Sequence, residues 1–199
     1  MTIEIKLPKV LMISMSHNTK SCYYRDRCKP SWEKHGYTVE HFEAITPIDI
    51  NRSVEGRLDF IKFGKKKGRL NFTQTEKAIW YSILLAIKQV AEGDEPYIVV
   101  EHDAMLMTEI PKEVFLKNDY VFLCSSSRGG LTPCGAFYIT PNTAQWIMNN
   151  EELDEIMRHN VDGQLLSWCR ALGGLCDGHE KYVRQFVNPK VGVTIEHKK

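Results

Sequence analysis

Tyr97-Ile-Val-Val-Glu-His-Asp103 decides how the rest of the chain is read. Residues 97 to 100 are apolar without alternation, so the strand they predict has no wet face and lies inside a covered sheet. The run stops abruptly at Glu101, His102 and Asp103. In an extended backbone residues i and i+2 share a side, which places Glu101 and Asp103 together and turns His102 away, towards packing or the surface. Ligands of open α/β sheets bind at the carboxyl ends of strands. Two carboxylates there make a compact site for a hard cation, Mn²⁺ or Mg²⁺, with positions left for phosphate oxygens. An acidic turn feeding the next helix is the plainer reading. The uniform strand before it favours a site, because buried carboxylates are costly unless a metal or donor groups receive them.

Working outward, Thr73-Gln-Thr-Glu76 has the Ser/Thr-x-x-Glu spacing of a capping box and predicts a helix start. Ile79, Trp80, Ile83, Leu84, Ile87, Val90 and Ala91 recur at helical spacing until Gly93-Asp-Glu-Pro96 ends the pattern. Val10-Leu-Met-Ile-Ser-Met15 reads as a first buried strand that stops at Ser16-His17-Asn18. Residues 21 to 35 place Cys22, Tyr23, Cys28 and Trp32 among charges before a Gly36 stop, and Pro30 is expected to interrupt or begin a helix there. Residues 37 to 42 alternate as a half-buried strand. Residues 47 to 70 read as a loop excursion whose Lys65-Lys-Lys-Gly-Arg69 run is a solvated face in the plain reading.

Downstream, the pattern predicts a short helix over 112 to 117, a strand over 120 to 124, a Ser/Gly loop over 125 to 133 and a strand over 136 to 139. Thr140-Pro141 then supplies an N-cap and a first-turn proline. Leu165, Leu166, Trp168, Cys169 and Leu172 share a helical face that Gly173-Gly174 ends. The tail beyond carries no assignable pattern. Strands alternating with helices imply one α/β domain over 1 to 199, with a mixed, mainly parallel sheet flanked by helices.

Composition narrows the class further. A formal net charge of +1 and 43% apolar residues exclude a disordered chain and a globally basic nucleic-acid binder. The amino terminus lacks a secretory pattern, and no stretch approaches the roughly 20 apolar residues of a membrane span. Six cysteines with no Cys-x-x-Cys pair read as reduced thiols, so a cytoplasmic location is expected.

With Glu76 and Ser82, Ile98-Val-Val-Glu-His-Asp103, Gly135-Ala-Phe-Tyr138 and Asp162 in that order, the sequence resembles glycosyltransferase family 25. That family includes lipooligosaccharide (LPS) and collagen galactosyltransferases. Three departures stand out: Ile83 replaces a histidine, His102 replaces the middle acid of the family's Glu-Asp-Asp, and Ser14-Met15 stands where Asn-Leu is usual. Arg25 and Arg27 also lie later than the family's early arginine. The resemblance implies a GT-A fold of Rossmann-like type and a nucleotide-diphosphate sugar donor, UDP-sugar favoured, with Mn²⁺ or Mg²⁺ bridging the diphosphate to the acids. It implies metal coordination by Asp103 and metal or ribose contact by Glu101, with Ser14, Ser16, Glu76 and Arg128 as further donor contacts and His179 as a late metal ligand.

Asp162 is the candidate general base for hexosyl or pentosyl transfer with inversion. It is equally readable as an N-cap or first-turn carboxylate, and Glu76 is first a capping residue. Arg128 sits in a Ser/Gly loop whose glycines permit close approach to a diphosphate or closure over substrate, or which is plain surface. The acceptor implied is a glycan. A transferase modifying hydroxymethylated bases in phage-type DNA is the alternative, with Lys65 to Arg69 on phosphate. A two-metal phosphatase or nuclease ranks lower, since such sites need further acids, and a non-enzymatic binding module is a further possibility.

Overall fold

The computed structural model describes residues 6–50, 72–125, 133–149, 161–174 and 182–186. In chain order its elements are β1 (Lys9–Ser14), α1 (Thr19–Glu33), β2 (Val39–Glu43), α2 (Gln74–Ala91), β3 (Tyr97–Glu101), β4 (Ala104–Leu106), α3 (Lys112–Lys117), β5 (Tyr120–Phe122) and β6 (Cys124–Ser125). A 3₁₀ turn (Pro133–Gly135), β7 (Ala136–Ile139), α4 (Pro141–Met148), α5 (Val161–Ala171) and β8 (Val183–Gln185) complete the set. The loop excursion over 47 to 70, with its Lys65 to Arg69 run, and the unassigned tail lie largely outside the described residues.

Strand β1 dictates the layers around it. Val10 and Met12 face one side and Leu11 and Ile13 the other, and all four are buried. A strand without a wet face needs cover on both sides. Helix α1 supplies one layer through Cys28 and Trp32, and α2 the other through Trp80, Ile83, Leu84, Ile87 and Val90. Each such large apolar side chain contributes on the order of 1.5–3 kcal/mol by leaving water.

The main sheet has the order β2-β1-β3-β7-β5. Strand β1 pairs in parallel with β2 and with β3, in a register that sets Lys9 against Tyr97 and Ile13 against Glu101. Strand β7 runs antiparallel to both β3 and β5, so the sheet is mixed and mostly parallel. The expected mixed, mainly parallel sheet flanked by helices holds, and the strand that ends in Glu101 is central.

Two helix starts follow their chemistry. The Asn18 side chain accepts the Ser21 N–H at 3.0 Å and caps α1. Thr73 and Glu76 form the reciprocal capping box, at 3.1 Å from the Glu76 N–H to Thr73 Oγ1 and 2.9 Å from the Thr73 N–H to Glu76 Oε2. Helix α1 is polar around most of its surface, burying only Ser21, Tyr24, Cys28 and Trp32. That stripe recurs every three to four residues, and the Trp32 indole N–H anchors it on the Ala104 carbonyl at 2.9 Å.

Three local expectations are corrected. Pro30 neither begins nor interrupts a helix but lies inside α1. In the last turn it removes one intrahelical bond, to the carbonyl of Asp26, and both residues are exposed to water. The strand over 120 to 124 is two strands, because at Leu123 the chain changes sheets. Its N–H donates to Ala136 of β7 at 3.0 Å, and its carbonyl accepts from Val183 of β8 at 3.0 Å. Thr140 occupies the cap position of α4 but makes no capping bond there, its hydroxyl pairing with Asp119 and Thr143 instead.

The second sheet, β4-β8-β6, is small and sits beyond the end of β3. Strand β8 pairs antiparallel with β4 and parallel with β6. Helix α5 ends as its glycines predict, with Gly173 at φ +66°. A Cβ on Gly174 would stand 2.7 Å from the Tyr120 carbonyl oxygen, so helix and strand meet there only through glycine. No described helix is long and apolar enough to cross a membrane.

Candidate functional site

From β1 the chain passes through α1 to β2 on one side, then through α2 to β3 on the other. The strand order therefore reverses between β1 and β3, the topological switch point at which α/β sheets bind ligands. A cleft opens there. Ser14 and Met15 at the end of β1 and Glu101 and His102 at the end of β3 form its floor, and Ile45, Pro47, Ala78 and Ile79 give it apolar walls. Ser14 Oγ is buried with no hydrogen-bond partner, a group that a ligand atom in this cleft would satisfy. Ser82 Oγ shapes the wall, accepting the Ile45 N–H at 2.9 Å and donating to the Ala78 carbonyl at 2.8 Å.

Glu101 closes β3 and Asp103 follows in the turn after it. The pairing of the two acids thus comes from a turn, not from strand alternation. This alters the expectation for His102, which lines the cleft beside Glu101. Burial pushes the His102 imidazole down to about 4, a hydrogen bond to the Ile13 backbone offsetting part of that, and its ring packs 6.0 Å from Tyr24. It is a neutral, packed histidine near neutral pH.

The two acids are half-buried, with Asp103 Oδ1 out of contact with water. Burial raises Glu101 well above the ordinary carboxylate range, and the charges of Asp103 and then Asp162 raise it further. Burial also raises Asp103. Glu101 Oε2 accepts Gln185 Nε2 at 3.0 Å, whereas Asp103 Oδ1 is buried without a partner. An orphaned carboxylate oxygen beside a second desolvated acid is the arrangement a divalent cation relieves. Among the described residues no three His, Cys, Asp or Glu side chains are gathered for a metal. Two carboxylates with the remaining positions left to phosphate and water fit Mg²⁺ or Mn²⁺ rather than a structural zinc centre.

The neighbouring thiols offer no competing chemistry. Burial pushes Cys124 and Cys28 up to about 12, with Glu101 the leading charge on the first and Asp103 on the second. Cys134 is raised further by burial and then by Asp162. All three stay protonated and inert as thiolates.

Asp162 lies in the first turn of α5, and its Oδ1 accepts the Cys134 N–H at 2.9 Å. Its charge reaches Glu101, so the structure brings Glu101, Asp103 and Asp162 into one electrostatic neighbourhood. Glu76 is engaged with Thr73 at the rim, while Thr75 and Ala78 line the cleft. The Ser16 N–H and hydroxyl both bond the Glu43 carboxylate, which ties the loop after β1 to the end of β2. Arg128 and His179 lie outside the described residues. Sequence reading missed Gln185, Glu43 and the Ser82–Ile45 tie; Gln185 and Glu43 stand in no motif, Ser82 entered only through the family resemblance, and the fold alone joins them to the site.

No protein-family model matches the chain, so the resemblance to glycosyltransferase family 25 gains no support from that side. No curated protein matches either. Among solved structures that match is the apo structure of the bifunctional glycosyltransferase WbbM, at a TM-score of 0.41 and 12% sequence identity. The match covers 84% of this chain and 38% of that one. A likeness of this degree assigns no family, activity or substrate to the chain.

Proposed function

We propose that the protein is a metal-dependent glycosyltransferase that moves a sugar from a nucleotide-diphosphate donor, UDP-sugar favoured, to an acceptor hydroxyl on a glycan. The observation that carries this reading is the orphaned Asp103 Oδ1 beside desolvated Glu101, at a switch-point cleft with apolar walls and an unpartnered Ser14 hydroxyl. The cleft suits a flat base and ribose, and Glu101 lines it with Asp103 two residues on, so a diphosphate would turn from the cleft towards the pair. Glu101 and Asp103 would hold the cation, which when bound neutralises charge on the diphosphate leaving group.

The transfer proposed is a single displacement. The acceptor oxygen forms a bond to the anomeric carbon as the bond from that carbon to the phosphate oxygen breaks, and the nucleoside diphosphate leaves with the electron pair. The hydroxyl proton passes to the Asp162 carboxylate, whose orientation is set by the Cys134 N–H. The sugar inverts because attack and departure are on opposite faces.

The deciding experiment is a thermal-shift panel of nucleoside diphosphates and nucleotide sugars with and without Mn²⁺, since a ligand that binds only the native state raises its melting temperature. A shift that needs both metal and one nucleotide supports the reading and names the base. No shift with any combination overturns it.

A further inference from the structure

The end of β8 grips both members of the acid pair. Gln185 Nε2 donates to Glu101 Oε2 at 3.0 Å, and the backbone N–H of the next residue, Phe186, donates to the Asp103 carbonyl at 2.7 Å. The β4–β8 register sets Gln185 opposite Ala104, one residue beyond Asp103, so the clamp is built into the ladder and does not depend on a flexible side chain alone. Phe186 then packs edge-on against Tyr24 of α1 at 6.0 Å, which fixes where β8 ends.

We infer that Gln185 is a positioning residue for the cation site, an inference that rests on the proposed metal role of Glu101. A carboxylate at a strand end can rotate about its terminal torsion. The amide removes that freedom by occupying Oε2, which leaves Oε1 to meet a cation shared with Asp103. A hydrogen-bonded partner of a metal-binding carboxylate sets the ligand's orientation, and losing such a partner costs roughly 10–100-fold in metal affinity. Neither Lys nor Arg would serve in this place, because a fixed positive charge at Oε2 would itself neutralise the acid and displace the ion.

The test is Mn²⁺ binding by the whole chain, followed by electron paramagnetic resonance, for the wild type and for Gln185→Met, Gln185→Asn and Glu101→Gln. Methionine keeps the volume without the donor; asparagine keeps the amide but shortens its reach. Both are expected to weaken Mn²⁺ binding by about 10–100-fold and to broaden the bound-ion spectrum, with the metal-free melting temperature close to wild type. Glu101→Gln is expected to lose the bound signal. If Glu101→Gln loses Mn²⁺ while both Gln185 variants that fold bind it with wild-type affinity and spectrum, the positioning role is wrong and the metal reading stands. If wild type binds no Mn²⁺, both are overturned.

Discussion

Asp162 Oδ1 and the backbone N–H of Cys134 are 2.9 Å apart, which ties the first turn of α5 to the 3₁₀ turn that opens β7. The bond separates two jobs for one carboxylate. As a tether, Asp162 needs only an acceptor oxygen, which asparagine also has. As a base it needs a carboxylate.

Asp162→Asn therefore keeps the tether, with a urea midpoint near wild type, and lowers transfer by about 10²–10⁴-fold, the usual contribution of a positioned base. Asp162→Ala loses both and unfolds at lower urea by about 1–3 kcal/mol, the cost of a buried N–H left unpaired. Wild-type turnover by the asparagine variant would leave Asp162 as a tether alone.

Asp103→Asn removes one ionisable member of the half-buried acid pair while keeping the shape of the side chain. In the absence of metal its melting temperature is expected to equal or exceed that of wild type, because an unpaired buried charge destabilises the fold. Metal-dependent stabilisation by a nucleoside diphosphate is expected to disappear. A lowered metal-free melting temperature with the nucleotide response intact would sink the assignment.

Stability should fall as pH rises through the raised values of the acid pair. Glu101 and Asp103 have raised folded-state affinities for protons. The native state therefore binds more protons than the unfolded chain above the ordinary carboxylate range, and stability declines as pH rises through the raised values. His102 has the opposite sense. Its folded value, about 4, lies below the ordinary 6.5, so the unfolded chain takes the proton first and stability declines as pH falls between the two. Between about pH 4 and 6.5 the His102 effect only offsets one of the two acids, so thermal melts from about pH 5 to pH 9 should show a net alkaline limb. Glu101→Gln should flatten that alkaline limb, as should saturating Mn²⁺ by binding the ionised pair. An unchanged alkaline limb in the Glu101→Gln variant would mean that other groups cause it.

What could be read from the chain alone follows from how strongly each feature constrains composition. A strand covered on both faces admits only apolar residues, so β1 and β3 are plain in Val10-Leu-Met-Ile13 and Ile98-Val-Val100. The capping box is equally plain, because its two residues lie three apart and satisfy one another. The break at Leu123 is invisible, since a strand that changes partners keeps the same apolar pattern on both sides of the switch. Gln185 is invisible for a different reason. Its meaning lies in a contact with Glu101 across 84 residues, and β8 is three residues long, too short for a period to register. The same holds for His102, which strand alternation turns away from Glu101 and a turn brings beside it in the cleft.

The wall of the cleft gives the last prediction. Ser82 Oγ accepts the Ile45 N–H and donates within its own helix to Ala78, so a single hydroxyl fastens the segment after β2 to α2. Ser82→Ala leaves the Ile45 N–H without its acceptor and should cost on the order of 1 kcal/mol. The consequence for the ligand is more specific than the loss of stability. Ile45 and Pro47 line one side of the cleft, and once untied they no longer hold the wall against a bound base. Weakened contact with a part of the donor remote from the reacting carbon is uniform binding lost, which raises KM and leaves kcat nearly unchanged. Steady-state kinetics on Ser82→Ala should show a several-fold higher donor KM at near wild-type kcat. A fall in kcat with KM unchanged would place this wall against the reacting sugar instead of the base.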